Sequence, residues 1–424
     1  MRVRCEVRPG MGGAGTLAMV MTLLLIAHLS LLYSHRAVLV EQRASASQIR
    51  AVRAQEAAQA GLDWAVSRLN DPRSVDDRCL PTPQSPDAAP ATVRGRWERS
   101  LALATTGTAA TWRPACVQTV AAPDWQCQCP DGDRGAGQIP APAATAEVSA
   151  FTVALQAGPR AGLWTLNAEG CSHPGPDCAD DTAPEPDGRY RVSTVLATFG
   201  QVVQPPLAPL TSVGAVVLSD GASVVNTDTT SGGVTVHSGG AVTLQAPAKV
   251  FGPPGQPAAA GLVAHDPPLS AGADTLWRRL FGLEVATLRA LPTWQTVACA
   301  GGCTGSDLDS AWRLGARALW LEGDLALAQG RWGSAELPLL LVVRGTLRIG
   351  AGAVVHGLVV ADRVDIRTPA SPRSLLRGAL VSLDTTALGG AVDLVRDGAV
   401  LARTTGLGSV LAPVPGSWFD PHTR

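Results

Sequence analysis

Hydrophobic and polar positions divide this chain into three textures. Thr16 to Leu32, TLAMVMTLLLIAHLSLL, carries no full charge. As a helix at ~1.5 Å per residue it spans roughly 26 Å against about 30 Å for a hydrocarbon core, a difference that Tyr33 and local bilayer thinning can cover. Ala44 to Leu69 contains no proline and is rich in Ala, Gln, Arg and Glu, all good helix formers. Ala58, Leu62, Ala65 or Val66, and Leu69 recur there at helical spacing, an apolar stripe suited to docking on a folded head. Nothing between the two segments breaks a helix, so the pattern predicts one rod of about 80 Å, an anchor continued by a stem. A cleavable secretory signal would end in small residues and a turn, whereas Leu31, Leu32, Tyr33 and Ser34 lead on without a break.

Asn70 to Ala91 is rich in Pro, Asp and Ser and reads as a linker or extended loop. Strand-like runs follow at Val93 to Ala104, Glu147 to Leu155, Leu163 to Ala168 and Tyr190 to Val203, predicting a small antiparallel sheet against the stem. From Thr211 the texture becomes short Val/Leu runs punctuated by Gly, Asp and Asn, the pattern of a parallel β-solenoid whose coils each bury an apolar row on the next. Core candidates are Val342, Leu347, Val354, Leu358, Val364, Leu376 and Leu380. Pro267 to Arg317 interrupts this texture with an amphipathic helix over about Asp274 to Ala290, expected to cover an end or flank. The expected fold class is therefore α+β, mostly β. Its divisions are a leader (1–15), transmembrane helix and stem (16–71), a Cys-containing β region (72–210) and a solenoid-like region (211–424) with a helical insertion (267–317).

Composition changes this picture little. The 424 residues have a net charge of -1 and 46% hydrophobic content, which describes a folded protein and argues against nucleic acid as a partner. With 45 glycines and 32 prolines, turns and short strands are favoured over long helices once the stem ends. Arg2, Arg4 and Arg8 precede the apolar run and favour a cytoplasmic N-terminus, although Arg36 and Arg43 weaken the asymmetry. The body then lies in the periplasm, anchored by a single pass in the inner membrane. Cys5 lies in the leader, leaving eight cysteines in Pro/Gly-rich loops, an even set that suits disulfides in an oxidising compartment.

Several groups invite chemistry. Cys127, Cys129, Cys171 and Cys178, with His173 near by, are zinc-type ligands, but disulfides are the preferred reading in an exported chain. Cys127 and Cys129, two apart, each need another partner. Cys299 and Cys303 form a candidate disulfide loop, as do Cys171 and Cys178. Asp180, Asp181, Glu185 and Asp187 lack the periodicity of a calcium loop and read as a solvated turn. Asp324, Asp362, Asp365, Asp384 and Asp393 are carboxylates without a spacing that pairs them across a groove, as glycoside hydrolysis would need. No nucleotide, zincin or hydrolase motif is present, and His28, His237 and His356 read as packed or solvated. No catalytic residue, cofactor or metal is assigned, and the chain reads as a non-enzyme.

The context Gly12-Gly13-Ala14-Gly15-Thr16-Leu17, a glycine directly before the hydrophobic stretch, resembles a type IV prepilin. That resemblance implies a basic leader cut between Gly15 and Thr16 by a prepilin peptidase, after which the exposed helix packs with other pilins. Major pilins carry Glu at the fifth mature position; Val20 stands there, which suits a minor or initiating component. Glu41, Arg43, Gln55, Glu56, Ala57, Ala58, Gly61 and Leu62 resemble the N-terminal domain of PilX-type pilus assembly proteins. Leu166, Ala168 and Gly170 resemble a pilin strand of the form I-x-S-x-G with the serine replaced. An ordered series of further pieces resembles members with an appended solenoid: Gly232 to Gly240, Phe281-Gly282, Cys299 to Cys303, Gly323-Asp324-Leu325, Pro338 to Leu347, Val355 to Leu358, and Pro415-Gly416-Ser417-Trp418.

The resemblance implies a minor pilin or pilus assembly protein that primes or tips a filament, located in the inner membrane, the pilus fibre or the cell surface. Its partners would be other pilins and minor pilins, the prepilin peptidase and the inner membrane. The alternatives are a pseudopilin of type II secretion and a membrane-anchored solenoid that binds or cleaves glycans.

Overall fold

The computed structural model describes residues 13–83, 91–104, 112–119, 122–133, 135–137, 148–158, 160, 162–172 and 188–420. One helix, α1, runs unbroken over 57 residues from Gly13 to Leu69, about 85 Å. Its second half lies on an antiparallel sheet of β1 (Ala115–Thr119), β2 (Ala122–Gln128), β3 (Val148–Ala157), β4 (Leu163–Cys171) and β5 (Arg189–Phe199). The spatial order is β2-β1-β3-β4-β5, completed by the C-terminal strand Val410–Pro413 on the outer edge of β5.

Small residues set the distance between α1 and this sheet. Ala54, Ala57, Ala58 and Ala65 are buried, and a Cβ on Gly61 would meet the Phe151 ring at 3.0 Å and Ala168 at 3.2 Å. The approach is closest at Gly170 of β4, where any side chain would overlap the backbone of Ala54 and Ala58. Behind this contact Leu62, Leu69, Phe151, Leu155 and Leu166 share one core with Trp97 and Trp112.

Asn70 ties the helix end to the far end of the chain. Its amide Nδ2 donates to the Val66 and Leu411 carbonyls at 2.9 Å, and its Oδ1 accepts from the Leu411 N–H at 2.8 Å. Of the two readings for the segment after it, the described residues 70–83 follow an extended loop packed on the body: Ser74, Val75 and Cys79 are buried and Ser74 N–H donates to the Leu314 carbonyl.

Val93–Ala104, expected as a strand, is the helix α2. Val93, Trp97 and Leu101 recur every fourth residue, a helical spacing. Thr92 accepts from the Gly95 N–H as a cap, and Arg94 pairs with Glu98 one turn on. The buried Trp97 ring meets Trp112 edge-on at 4.9 Å.

From Leu210 to Val395 the strands form a single parallel sheet of seventeen, nearly closed on itself. One inward-facing row is Leu319, Leu341, Val359, Leu380, Leu210, Val236 and Leu262, each in register with the next. Sequence order breaks once along this row, where Leu380 meets Leu210. The chain thus begins its winding in the interior of the stack, proceeds outward to Val263, crosses to the opposite end and winds back to seal against its own first coil. The same seam pairs Thr386 with Val216 and Asp393 with Ser223.

Corners between faces are held by hydroxyls: Ser212 Oγ donates to the Asp384 carbonyl at 2.9 Å and Ser238 Oγ to the Gly214 carbonyl at 2.8 Å. The outer face of Ala318–Glu322 and of its neighbours is buried too, under helices Ala273–Phe281 and Val285–Arg289. There Trp277 stacks on Trp320 at 5.8 Å.

The expected helix over Asp274 to Ala290 is therefore two helices, parted at Gly282, whose φ of 67° favours glycine. The expected insertion at 267–317 also contributes strands, since Gln295–Ala298 and Cys303–Thr304 begin the second winding. Of the core candidates Val354 is half-exposed, with Val355 inward instead, and Val342 and Leu358 pack under the helices rather than inside the stack. The closing motif leaves the stack altogether. Ser417 Oγ accepts from the Val195 N–H at 3.1 Å, so residues 410–420 belong to the antiparallel sheet.

A Gly170→Val variant must push α1 off β4 at a contact made by backbone. It is expected to lower the unfolding free energy by ~3 kcal/mol or more, read by urea unfolding of the full chain in detergent. A cost below about 0.5 kcal/mol would mean that α1 does not lie where the structure places it.

Candidate functional site: the bare half of α1

Every residue of α1 from Gly15 to Val52 is exposed, and burial begins only at Ala54. Roughly 57 Å of helix is therefore exposed, and the body first approaches it near the lower end of this run, where Gly188 lies against the Arg50 carbonyl. Leu24 is 63% and Leu31 71% exposed, values no folded water-soluble surface sustains over so long a run. Its most apolar 18 residues have a mean hydropathy of 2.0, and the helix is long and apolar enough to cross a bilayer. Because the helix continues through Tyr33, Ser34 and His35, the next full charge is Arg36, so about 30 Å of helix from Thr16 lacks one.

Polar groups inside this stretch bond to the helix itself. Thr22 Oγ1 donates to the Ala18 and Met19 carbonyls at 3.0 and 2.9 Å, and Ser34 Oγ to the Ser30 carbonyl at 2.8 Å. Gly15 and Thr16 lie in helical backbone, and a Cβ at Gly15 would meet nothing within 4 Å. Val20 faces outward with the other apolar side chains.

The apolar run hides a finer pattern. Leu17, Leu24, Leu31, Val38 and Val52 fall on one seven-residue repeat, in which the small Ser45 takes the remaining place. On a helix residues seven apart drift by only ~20°. The five apolar residues form one slowly winding stripe, interrupted only at Ser45, that turns by about 100° between Leu17 and Val52 and continues beyond the uncharged segment down to the body, the geometry with which like helices pack by coiling about one another. The stripe was legible in the sequence, but uniform hydrophobicity above residue 33 masks its period.

The remaining candidate groups are occupied structurally. Cys127 is bonded to Cys116 and Cys129 to Cys79, so neither thiolate is open to a metal. Cys299 and Cys303 are bonded to each other, and Cys171 is disulfide-bonded. Cys178, His173, Asp180, Asp181, Glu185 and Asp187 lie outside the described residues, as do residues 1–12 of the leader. Among the described residues no group of three or more His, Cys, Asp and Glu is placed to hold a metal ion. His237 Nε2 meets Asp266 Oδ2 at 2.9 Å, while burial and the neighbouring Arg377 and Arg331 push the His356 imidazole below its ordinary pKa.

The five aspartates considered for glycoside chemistry each face an arginine instead. Asp324 meets Arg348 at 2.8 Å, Asp362 meets Arg344 at 3.1 Å, Asp384 meets Arg363 at 2.7 Å and Asp365 meets Arg367 at 3.0 Å, while Asp393 pairs with Arg373. The first three pairs step between successive coils, and Arg396 with Asp228 carries the series across the seam. Exposed pairs of this kind are screened by water and add little to stability.

The Thr346 N–H, which donates to Asp324 Oδ1 at 2.8 Å, and the Arg348 guanidinium hold the Asp324 carboxyl below the usual range. Burial pushes Asp362 the other way, against Arg344. A depressed folded pKa gives stability that is complete above the unfolded value of about 4 and is lost as pH falls through the folded value. Asp324→Asn should therefore shrink the drop in thermal midpoint between pH 6 and pH 3 relative to the parent. An unchanged drop would remove Asp324 from the acid response.

Comparison with known proteins gives no protein-family model, no curated protein and no solved structure that matches this chain.

Proposed function

We propose that this chain is a PilX-type minor pilin or pilus assembly protein, held in the inner membrane by α1 and built into a filament by packing of that helix. The single observation that carries the reading is the bare, apolar first half of one continuous helix whose second half is docked on an antiparallel sheet. A membrane tether alone needs only the uncharged part. The exposed seven-residue stripe reaching from Leu17 to Val52 suits lateral packing along a further two turns and more. Val20 in the bare stretch offers no charge to a neighbour's amino terminus, as expected of a component present in few copies.

On this reading the prepilin peptidase cuts between Gly15 and Thr16, other pilins flank the bare helix, and the body stays in the periplasm until assembly. The nearly closed parallel sheet is a β-solenoid carried by the pilin-like head, too bulky to be repeated at every position of a filament. Its mechanism is assembly rather than chemistry.

Mass spectrometry of the mature amino terminus tests this. Thr16 is expected as the first residue. A chain retaining Met1, or one beginning after Tyr33, would overturn the assignment.

A further inference from the structure

Helix Gly305–Arg313 turns Leu308, Ala311 and Trp312 into the inner core of the parallel stack, and its first turns, through Gly305, Ser306 and Asp309, border a cavity of about 700 Å³ open to solvent. We propose that this groove binds a linear, uncharged glycan. Its floor is made by four successive strands, through Thr304, Ala326, Arg348 and Asp365, stacked at ~4.8 Å, so it extends some 14 Å with an equivalent position on every rung. The small side chains of Ala326 and Ala328, with Gly350, let a ligand lie close to the sheet. Gln329 and Arg367 flank this floor and Arg348 rises from it, all three exposed, long planar groups suited to vicinal hydroxyls.

Three features narrow the ligand. Arg348 and Arg367 are matched by Asp324 and Asp365, so the groove has no charge excess to attract a polyanion. The inner floor strands spend their ladder bonds within the sheet, and the end strand Cys303–Thr304 is only two residues long, too short an edge for an extended peptide to pair along. Successive rings of an extended glycan recur at a spacing close to that of successive strands, so hydroxyls and rungs stay in step.

The wall is rigid as well. Trp332 Nε1 donates to Asp309 Oδ1 at 3.0 Å, and its ring fills the space that side chains at Gly305 and Gly330 would take. A preformed site of this kind loses little freedom on binding. The two carboxylates of the groove are tied into its walls, Asp309 by Trp332 and Asp365 by Arg367.

The test uses the full chain in a zwitterionic, sugar-free detergent, titrated with cellohexaose and chitohexaose, and with hexagalacturonate as the charged comparison. Saturable binding of at least one neutral oligomer is expected. Ala326→Trp, which fills the floor from an exposed position, should weaken it at least tenfold, and Arg348→Ala and Arg367→Ala several-fold each, with far-UV circular dichroism unchanged. The proposal is overturned by the absence of saturable binding to either neutral oligomer, by binding that survives all three substitutions, or by tighter binding of hexagalacturonate. The groove is remote in sequence from the leader, so this result and the identity of the mature amino terminus fail independently.

Discussion

The close contact between the alanine-rich half of α1 and strands β3 to β5 is the constraint on which the rest of the molecule depends. Because Gly61 and Gly170 bring helix and sheet together at backbone distance, the helix has one position and one direction on the head. Its upstream half is then a stiff extension of a fixed object. A looser contact, made through long side chains, would leave the bare segment free to pivot, and nothing would define how far the body stands from whatever holds the apolar end. The small residues therefore act at a distance: they sit in the head, and their consequence is the orientation of a helix end some tens of ångströms away.

The second constraint is closure. The strands of the parallel sheet are not stacked in the order of the chain, and the coil built last seals on the coil built first, where Leu380 meets Leu210 and Arg396 meets Asp228. After that seam the chain returns to the head, where Leu411 bonds to Asn70 and Ser417 to β5. Head and stack are thereby tied together at both ends of the residues between them. Burial, together with the Asp420 carboxylate, pushes the Tyr190 phenol up to about 12 within this same C-terminal docking. Contacts of such sequence separation cannot reward folding until both halves exist, so the body forms as a whole rather than coil by coil.

Local patterns were legible in the sequence wherever one neighbour decides the outcome. The continuous helix followed from the lack of any breaker, and the apolar stripe at Ala58, Leu62 and Leu69 faces the sheet as its spacing required. Val93–Ala104 was misread because its four-residue period is short and its apolar residues few, so that only the cap at Thr92 and the Arg94–Glu98 pair separate helix from strand. Two-sided burial explains the misplaced core residues. Where both faces of a strand are covered, as at Val342 and Leu358, alternation disappears and with it the sign of which side is inside. The permuted order of the coils left no local trace at all, since parallel pairing fixes no turn between partners. The groove was equally hidden, because Thr304, Arg348 and Arg367 are neighbours only through that pairing.

The account stands on the bare half of α1 lying in lipid and then in water before it reaches the head. Single cysteines placed along the helix of the membrane-held protein, in a chain whose Cys5 is replaced, can be probed with a membrane-impermeant maleimide. Positions between Leu17 and Leu32 should resist labelling, positions between Ala37 and Arg50 should label rapidly, and Ala57 and Ala65 should again resist. Rapid labelling throughout Leu17 to Leu32 would contradict it.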